Sequence, residues 1–287
     1  MKRLILIFMV LAIGHVSAQE AFMSLDAKSL GMGSVVTTTL SDSHAIYNNA
    51  AAVVFSPYQA QLSSSYFSQD GYNNFNVSGF ARIKNSNFLQ VGWRQYRKDN
   101  MAVDLGYSRR VNEKWAVGIV ARYCHSKLAD GGTADALAVD LSALYALPLE
   151  NIGQQATLRV GAKLSNLGGY LADAPFDLPM NATLGAAFDA FITDAHEVTV
   201  GVDVGYYFAP AYLRSMQGAV GVEYNLMQLF QVRGGYHFGE KTMYNPNYAS
   251  VGAGVRFMHL RLDFAYLFAQ EDSPFNKTYS LSFGLDF

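Results

Sequence analysis

The sequence predicts an all-β protein, a transmembrane antiparallel β-barrel of about fourteen strands with an N-terminal segment inside its lumen. Three observations lead to this fold class. The 287-residue chain is 51% hydrophobic but only 15% charged. Its mean hydropathy is +0.08. Apolar residues recur with a period of two along most of the chain. Strands of a membrane barrel alternate between apolar residues and small or polar residues, so their hydropathy averages to nearly neutral.

Composition argues against the other large classes. Aromatic residues make up 14% of the chain and its formal net charge is −2. A disordered chain or a nucleic-acid binder would have few aromatics or an excess of Lys and Arg. No run of 18 apolar residues follows the N-terminus, so membrane-spanning helices are not expected. A soluble β-sandwich also alternates, but the mixture of Gly, Ser, Ala and charges of both signs on the second face favours a lumen.

The beginning of the chain predicts export. Two basic residues precede an apolar stretch from Leu4 to Ile13, and small residues ending at Ala18 offer a cleavage site. This is the pattern of a secretory signal peptide, which we expect to span residues 1–18. Cys124 is the only cysteine, which excludes an internal disulfide framework.

The rest of the chain divides into two predicted parts. Residues 19–57 lack the alternation and are predicted to form a hatch inside the bore. Residues 58–287 are predicted to form the outer-membrane barrel, because segments of roughly ten residues alternate there throughout. The predicted strands span 58–69, 72–83, 86–97, 100–111, 114–127, 134–148, 155–167, 182–193, 196–209, 213–226, 229–239, 248–257, 259–269 and 278–287.

Two segments illustrate how the faces are assigned. In the segment that begins at Val198, valines alternate with small and polar residues, so Val202 is predicted to face lipid and Asp203 the lumen. The last segment places Phe283 and Phe287 on its apolar face. A terminal aromatic strand of this kind resembles the signal that barrel-assembly machinery recognises in outer-membrane proteins.

The same assignment sends charges of both signs into the lumen. A charge inside such a tube needs a partner or water. Because the two signs nearly balance, we expect interlocking ion pairs and no strongly ion-selective pore. The predicted inward cations are Arg82, Arg94, Arg122, Arg159, Lys163, Arg233, Arg256 and Arg261. The predicted inward carboxylates are Asp104, Asp140, Asp189, Asp203, Glu223 and Asp263.

The connections predict an orientation and a candidate surface. Short turns alternate with longer loops, which is the periplasmic and extracellular asymmetry of outer-membrane barrels. The longest outer loop is predicted over residues 168–181. Its apolar side chains, from Tyr170, Phe176, Leu178 and Met180, could bind a partner protein, line a ligand pocket or fold inward to close the mouth.

The N-terminal segment resembles the hatch of FadL-like proteins, which carries a Gly-rich turn, acidic residues and an Asn-Pro-Ala element, although this chain has Ala50 in place of the proline. The resemblance assigns hatch roles to Gly31, Met32, Gly33, Tyr47, Asn48 and Asn49. It rests on Leu30-Gly31-Met32-Gly33, Ser41-Asp42 and Ala45-Ile46-Tyr47-Asn48-Asn49-Ala50-Ala51.

Motifs in the barrel resemble the PorV/PorQ branch of the same superfamily. The resemblance implies an outer-membrane barrel associated with type IX secretion in Bacteroidota. It rests on Ser165-Asn166-Leu167-Gly168, Leu178-Pro179, Leu184-Gly185-Ala186-Ala187-Phe188, Gly221-Val222-Glu223-Tyr224, Val232-Arg233-Gly234-Gly235-Tyr236, Val251-Gly252-Ala253-Gly254-Val255-Arg256 and Leu262-Asp263-Phe264-Ala265-Tyr266.

Three functions remain open from the sequence. The first is a non-catalytic barrel subunit of a secretion or outer-membrane protein assembly complex. The second is a FadL-like passive transporter of hydrophobic compounds, and the third, least favoured, is a barrel enzyme. The sequence contains no metal-ligand spacing, nucleophile elbow or phosphate loop, so we expect no catalytic residues, metal or cofactor. The expected location is the bacterial outer membrane. The expected partners are outer-membrane lipid, the barrel-assembly machinery and other outer-membrane or secretion-complex proteins, with no nucleic acid.

Overall fold

A computed structural model describes residues 26–40, 42–69, 72–96, 99–128, 131–172, 174, 177–240 and 245–287. The predicted signal peptide, 1–18, and Phe176 of the predicted outer loop lie outside these residues. Among the described residues, no helix is long and apolar enough to cross a membrane.

Fourteen antiparallel strands form a closed barrel, which confirms the predicted fold class. Each strand pairs with the next along the chain, and β1 pairs with β14 to close the wall, for example at Ser63 and Gly284. The strands are β1 Ala60–Gln69, β2 Tyr72–Ile83, β3 Asn87–Tyr96, β4 Asn100–Arg110, β5 Trp115–Lys127, β6 Thr133–Leu149, β7 Gln155–Tyr170, β8 Met180–Thr193, β9 His196–Ala209, β10 Ser215–Leu226, β11 Phe230–Phe238, β12 Tyr248–Phe257, β13 Leu260–Ala269 and β14 Tyr279–Asp286.

The alternation of the sequence becomes the two faces of the wall. On β9, Val202 is 45% exposed on the outside, whereas its neighbour Asp203 is only 5% exposed on the inside. The same in-and-out pattern of burial runs along β4 and β5. Since successive side chains of a strand point to opposite faces, the predicted lipid-facing and lumenal sets are separated as expected.

The connections define two ends of the barrel. The short-turn end carries the connections at 84–86, 194–195 and 258–259, and the long-loop end carries those at 171–179 and 239–247. The observed connection spans 171–179, so the predicted outer loop, 168–181, extends too far at both of its ends.

A bulge on β7 explains the error at the first of these ends. Asn166 has a φ of +59°, and the pairing with β6 shifts between Val139 and Leu141, so β7 has one extra residue there. The alternation ends at this bulge in the sequence, but the strand continues and pairs with β6 as far as Tyr170.

The N-terminal segment lies inside the barrel. We call residues 26–40 and 42–56 the lumenal segment. It contains a short helix, α1 (Ala27–Gly31), and two 3-10 helices, Asp42–Ile46 and Ala50–Phe55. The carboxylate of Asp26 caps α1 by accepting from Ser29 N at 2.8 Å. The largest hydrophobic cluster shared by the segment and the wall packs the second 3-10 helix against wall residues such as Phe80, Phe88 and Leu144. The hydrophobic core therefore lies within the bore.

Candidate functional site

The wall carries glycines where the lumenal segment touches it. A Cβ built on Gly161 would lie 2.7 Å from the carbonyl oxygen of Thr37, and one on Gly235 would lie 2.7 Å from the Cα of Gly33. Only hydrogen fits at such positions, so the segment approaches the backbone of the wall directly, with its own backbone at Gly161 and Gly235 and with the side chains of Tyr47 and Val35 at Gly92 and Gly201. We call this set the glycine belt, and it comprises Gly92, Gly118, Gly161, Gly185, Gly201, Gly221, Gly235 and Gly252.

Asp203 holds the segment at the centre of this belt. Its Oδ2 accepts from the backbone N–H groups of Val36 at 2.7 Å and Thr37 at 2.8 Å, and from the Thr37 hydroxyl at 2.9 Å. The sequence placed Asp203 in a network of lumen charges, but it forms no ion pair with any residue of the described ranges. Its carboxylate instead accepts hydrogen bonds from two backbone N–H groups and one hydroxyl group of the segment.

A second carboxylate fastens the segment near the short-turn end. Asp42 contacts the guanidinium of Arg261, which also donates to Asp286 Oδ1 at 3.0 Å. Arg256 lies 3.7 Å from the same carboxylate. Burial opposes the charge on Asp42, but Arg261, Arg256 and Lys28 outweigh it and hold the pKa of the carboxyl at about 2, below its ordinary 3.8.

The predicted hatch residues make close contacts, most of them between the lumenal segment and the wall. Gly33 adopts a φ of +67°, which favours glycine, and its N–H donates to Ser250 Oγ at 2.9 Å. The Tyr47 hydroxyl donates to the carbonyl of Val77 at 2.7 Å. Met32 packs on Gly221, and Gly31 on Gly252. Asn48 donates to Asp26 at 2.9 Å, and Asn49 donates to the Thr37 carbonyl at 2.7 Å.

A ladder of ion pairs crosses five successive strands, β3 to β7. Its first members are deeply buried: Arg94 is 1% exposed, and its guanidinium lies 4.7 Å from the centre of the Tyr47 ring. Lys163, at the other end, donates to the carbonyl of Tyr47 at 2.8 Å. We call this set the charge ladder, and its pairs are Arg94–Asp104 at 3.0 Å, Arg122–Asp104 at 2.6 Å, Arg122–Asp140 at 3.0 Å and Lys163–Asp140 at 3.7 Å.

The other predicted lumen charges form smaller groups. Arg233 lies between Glu223, which it contacts, and Asp263, whose Oδ1 is 2.6 Å away. Arg159 pairs with Asp189 and donates to the carbonyl of Thr38 at 2.9 Å. Arg82 donates to the carbonyl of Ser56 at 2.8 Å. These charges thus bind one another or the lumenal segment.

Two cavities lined largely by polar side chains flank the lumenal segment. The outer cavity, at the long-loop end, has a volume of about 120 Å³ and is lined by residues such as Lys163, Asn181 and Gln217. The inner cavity, at the short-turn end, has a volume of about 160 Å³ and is lined by residues such as Tyr58 and Arg256. Within the described chain the two cavities share no lining residue, although residues of the segment line both.

The apolar loop residues do not form one exposed surface. Leu178 is 0% exposed and packs with Cys124 and neighbouring alanines on the inner wall, with Tyr170 against the same cluster. Met180 is the half-buried first residue of β8. Leu178 therefore folds inward over the mouth, which is one of the placements that the sequence left open.

The last strand places its aromatics outside. Phe283 is exposed on the outer face, and Phe287, 65% exposed, follows the end of β14. The backbone N–H of Phe287 donates to the carbonyl of Ala60 at 2.9 Å, at the seam where β1 meets β14. The predicted role of these residues in assembly stays a prediction.

Sequence reasoning missed the glycine belt and Thr37. The glycines recur at inward positions of successive strands, which was a visible signal, but their contacts depend on a segment with no alternation of its own.

Comparisons with known proteins give a fold but no family. No family model matches the chain, and no curated protein matches it. Among solved structures, the CymD monoaromatic hydrocarbon channel superposes with a TM-score of 0.64 at 14% identity, over 93% of this chain and 98% of that one. The toluene transporter TbuX of Ralstonia pickettii gives 0.62 at 12% identity, over 93% and 99%. A Pseudomonas aeruginosa FadL homologue gives 0.54 at 13% identity, over 96% and 98%. The chain therefore has the FadL-like barrel fold.

Proposed function

We propose that this chain is a bacterial outer-membrane channel through which small hydrophobic molecules pass passively, with the lumenal segment as its closed gate. The similar barrels described as hydrocarbon channels and toluene transporters support this choice of substrate, and they are transport proteins, not enzymes. Their similarity extends over nearly the whole length of each chain, so no large domain distinguishes this barrel from them.

One observation carries the proposal. A cavity opens on each side of the lumenal segment, which lines both of them, for example with Tyr47 in the outer cavity and Leu40 in the inner one. A barrel that served only as a solid support would have no need of space at both ends of its bore. Two cavities separated by one segment are what a closed channel would contain.

A reversible cross-link tests the gate. The hydroxyl oxygens of Ser43, in the lumenal segment, and Ser78, on β2, lie 3.3 Å apart, so Ser43→Cys with Ser78→Cys places two thiols within reach. Cys124 is replaced by alanine throughout, which leaves no other thiol. Cells that carry the oxidised double variant in their outer membrane should take up labelled toluene at the rate of cells without the protein, and reduction should restore uptake.

The single variant Ser43→Cys in the same background is the matched control, because oxidation cannot cross-link it. Its uptake should be insensitive to oxidant. Equal uptake by oxidised and reduced double variants would show that molecules do not pass the segment. Uptake by wild-type cells no faster than by cells without the protein would reject the channel itself.

A second function has one observation in its favour. The glycine belt contacts the segment from eight strands, and Asp203 and Asp42 fasten it. A segment held this firmly suits a barrel that does not conduct but serves as a PorV/PorQ-like subunit of a secretion or outer-membrane assembly complex. This alternative predicts no uptake in the experiment above, and a stoichiometric large partner after gentle detergent extraction.

Other partners stay proposals. The apolar outer wall is expected to contact outer-membrane lipid. Phe283 and Phe287 are proposed to be read by the barrel-assembly machinery. Replacing both by serine should lower the amount of folded barrel in the outer membrane, whereas Phe264→Ser, elsewhere on the outer face, should lower it less.

A further inference from the structure

We propose that the outer cavity binds a neutral, single-ring aromatic molecule that carries a hydroxyl group, and that it selects this molecule over the bare hydrocarbon. The inference rests on the proposed channel function and narrows its substrate class. Hydrocarbons of the kind named for the similar structures would still pass, but the cavity would hold them more weakly than the hydroxylated ring.

The size of the cavity limits the ligand to about one ring. Its volume is about 120 Å³. An apolar cavity of about 150 Å³ in another protein takes up a single benzene molecule. A fatty acid or a sugar oligomer would not fit without rearrangement of the lumenal segment that forms the floor.

One side of the cavity is aromatic. The rings of His237 and Tyr248 stack with centroids 4.9 Å apart and planes 11° apart, and Phe275 continues the stack at 5.6 Å and 19°. Tyr207 lines the same cavity from β9. Aromatic side chains that meet at such distances form a rigid wall against which a further ring can pack.

The strands on either side of Tyr207 offer hydrogen bonds that the protein does not use. Gln217, on β10, is half-buried, and its side-chain amide makes no hydrogen bond to any residue that the structure describes. Asn181, on β8, receives one long contact of 3.4 Å from the Thr183 hydroxyl. A ligand hydroxyl can donate to one amide and accept from the other, which a hydrocarbon cannot do.

Charge and desolvation define the rest of the specificity. The charged lining residues balance, with Arg122 and Lys163 against Asp140 and Asp203, which favours a neutral ligand. A hydrocarbon would displace water from the amides and leave them unpaired. Sites built to bind a hydroxyl reject analogues that lack it by large factors for this reason.

The test compares two matched probes, 4-fluorophenol and fluorobenzene, by fluorine NMR titration of the purified full-length chain in detergent. Only binding that unlabelled phenol displaces is counted, which removes partition into micelles. We expect the wild type to bind fluorophenol at least about tenfold more tightly than fluorobenzene. Gln217→Leu should weaken fluorophenol binding at least about fivefold and reduce the difference between the probes.

Gln231→Leu is the matched control, because Gln231 lies on the next strand but lines the inner cavity. Its fluorophenol affinity should equal that of the wild type. Equal affinity for both probes, no displaceable binding, or equal losses in the two leucine variants would each overturn the inference. Because binding is measured without transport, a barrel that takes up toluene but shows no preference would refute this inference and leave the channel standing. Selective binding of fluorophenol without any uptake of toluene would support this inference and reject the channel.

Discussion

The two halves of the lumenal wall hold the same segment by opposite means. From β3 to β7 the wall presents the charge ladder, whose side chains mainly pair with one another and meet the segment chiefly at Tyr47. From β7 to β12 it presents six successive glycines of the belt, four of which face the segment's backbone, whereas Gly185 and Gly201 face the side chains of Thr37 and Val35. The first half therefore relies mainly on paired side chains, with belt glycines only on β3 and β5, and the second relies mainly on positions that lack a side chain.

This difference teaches which substitutions each half can accept. A ladder of buried charges is sensitive to the loss of any member, because the remaining partners stay buried and lose their compensation. A wall of glycines is sensitive to the gain of a side chain, because the added atoms would overlap tightly packed atoms of the lumenal segment. The following predictions test that contrast.

The largest effect is expected at the centre of the ladder. Arg122→Met leaves Asp104 and Asp140 each with one cation fewer, and should lower the free energy of unfolding by about 3 kcal/mol. Denaturant titration in detergent measures this. Arg109→Met, at an exposed position of β4, is the control and should change it by less than about 0.5 kcal/mol. Similar losses in both variants would refute a special role for the ladder.

A smaller but more local effect is expected in the belt. Gly235→Val drives a side chain into Gly33 and should cost about 1–3 kcal/mol, with the lumenal segment displaced and open to protease. The neighbouring Gly234→Val is a close control, because a Cβ there meets nothing nearer than 4.0 Å. If protease cuts the segment equally in the two variants, the belt does not seat it.

Asp203→Asn should have a milder consequence. The amide keeps one oxygen to accept from Val36 and Thr37 but loses the charge, which should cost about 1 kcal/mol. Amide hydrogen exchange of these two residues should accelerate, whereas exchange in β4 should not. Unchanged protection at Val36 and Thr37 would show that other contacts hold this part of the segment.

The smallest effect concerns pH. The pKa of Asp42 in the folded protein is about 2, below the value of roughly 3.9 expected when unfolded. Its contribution to stability is thus complete above pH 4 and is lost as the pH falls towards 2. Unfolding midpoints measured at these pH values should decline in this window, and less so in Asp42→Asn. An identical decline in the variant would assign the pH dependence to other groups.

The wall could be predicted from the sequence because its rule is local. A period of two places Val202 outside and Asp203 inside without knowledge of any other strand. The same rule stopped short on β7, where the bulge at Asn166 breaks the period although the pairing with β6 continues.

The site was less predictable because its contacts join distant parts of the chain. Asp203 was recognised as lumenal, but its partners, Val36 and Thr37, are backbone groups that no side-chain pattern reveals. Leu178 had an apolar character that suited an exposed contact surface or an inward lid equally well. Only the fold shows that its place is against Cys124 on the inner wall.

The central claim is that the lumenal segment closes the bore, and ion conductance in planar bilayers tests it most directly. The measurement compares the mature chain with one that lacks residues 26–56, after circular dichroism has shown that both form the barrel. We expect the mature chain to be nearly silent and the deletion to conduct as a steady open pore, since the strands begin at Ala60. Equal conductance of two folded barrels would contradict the account.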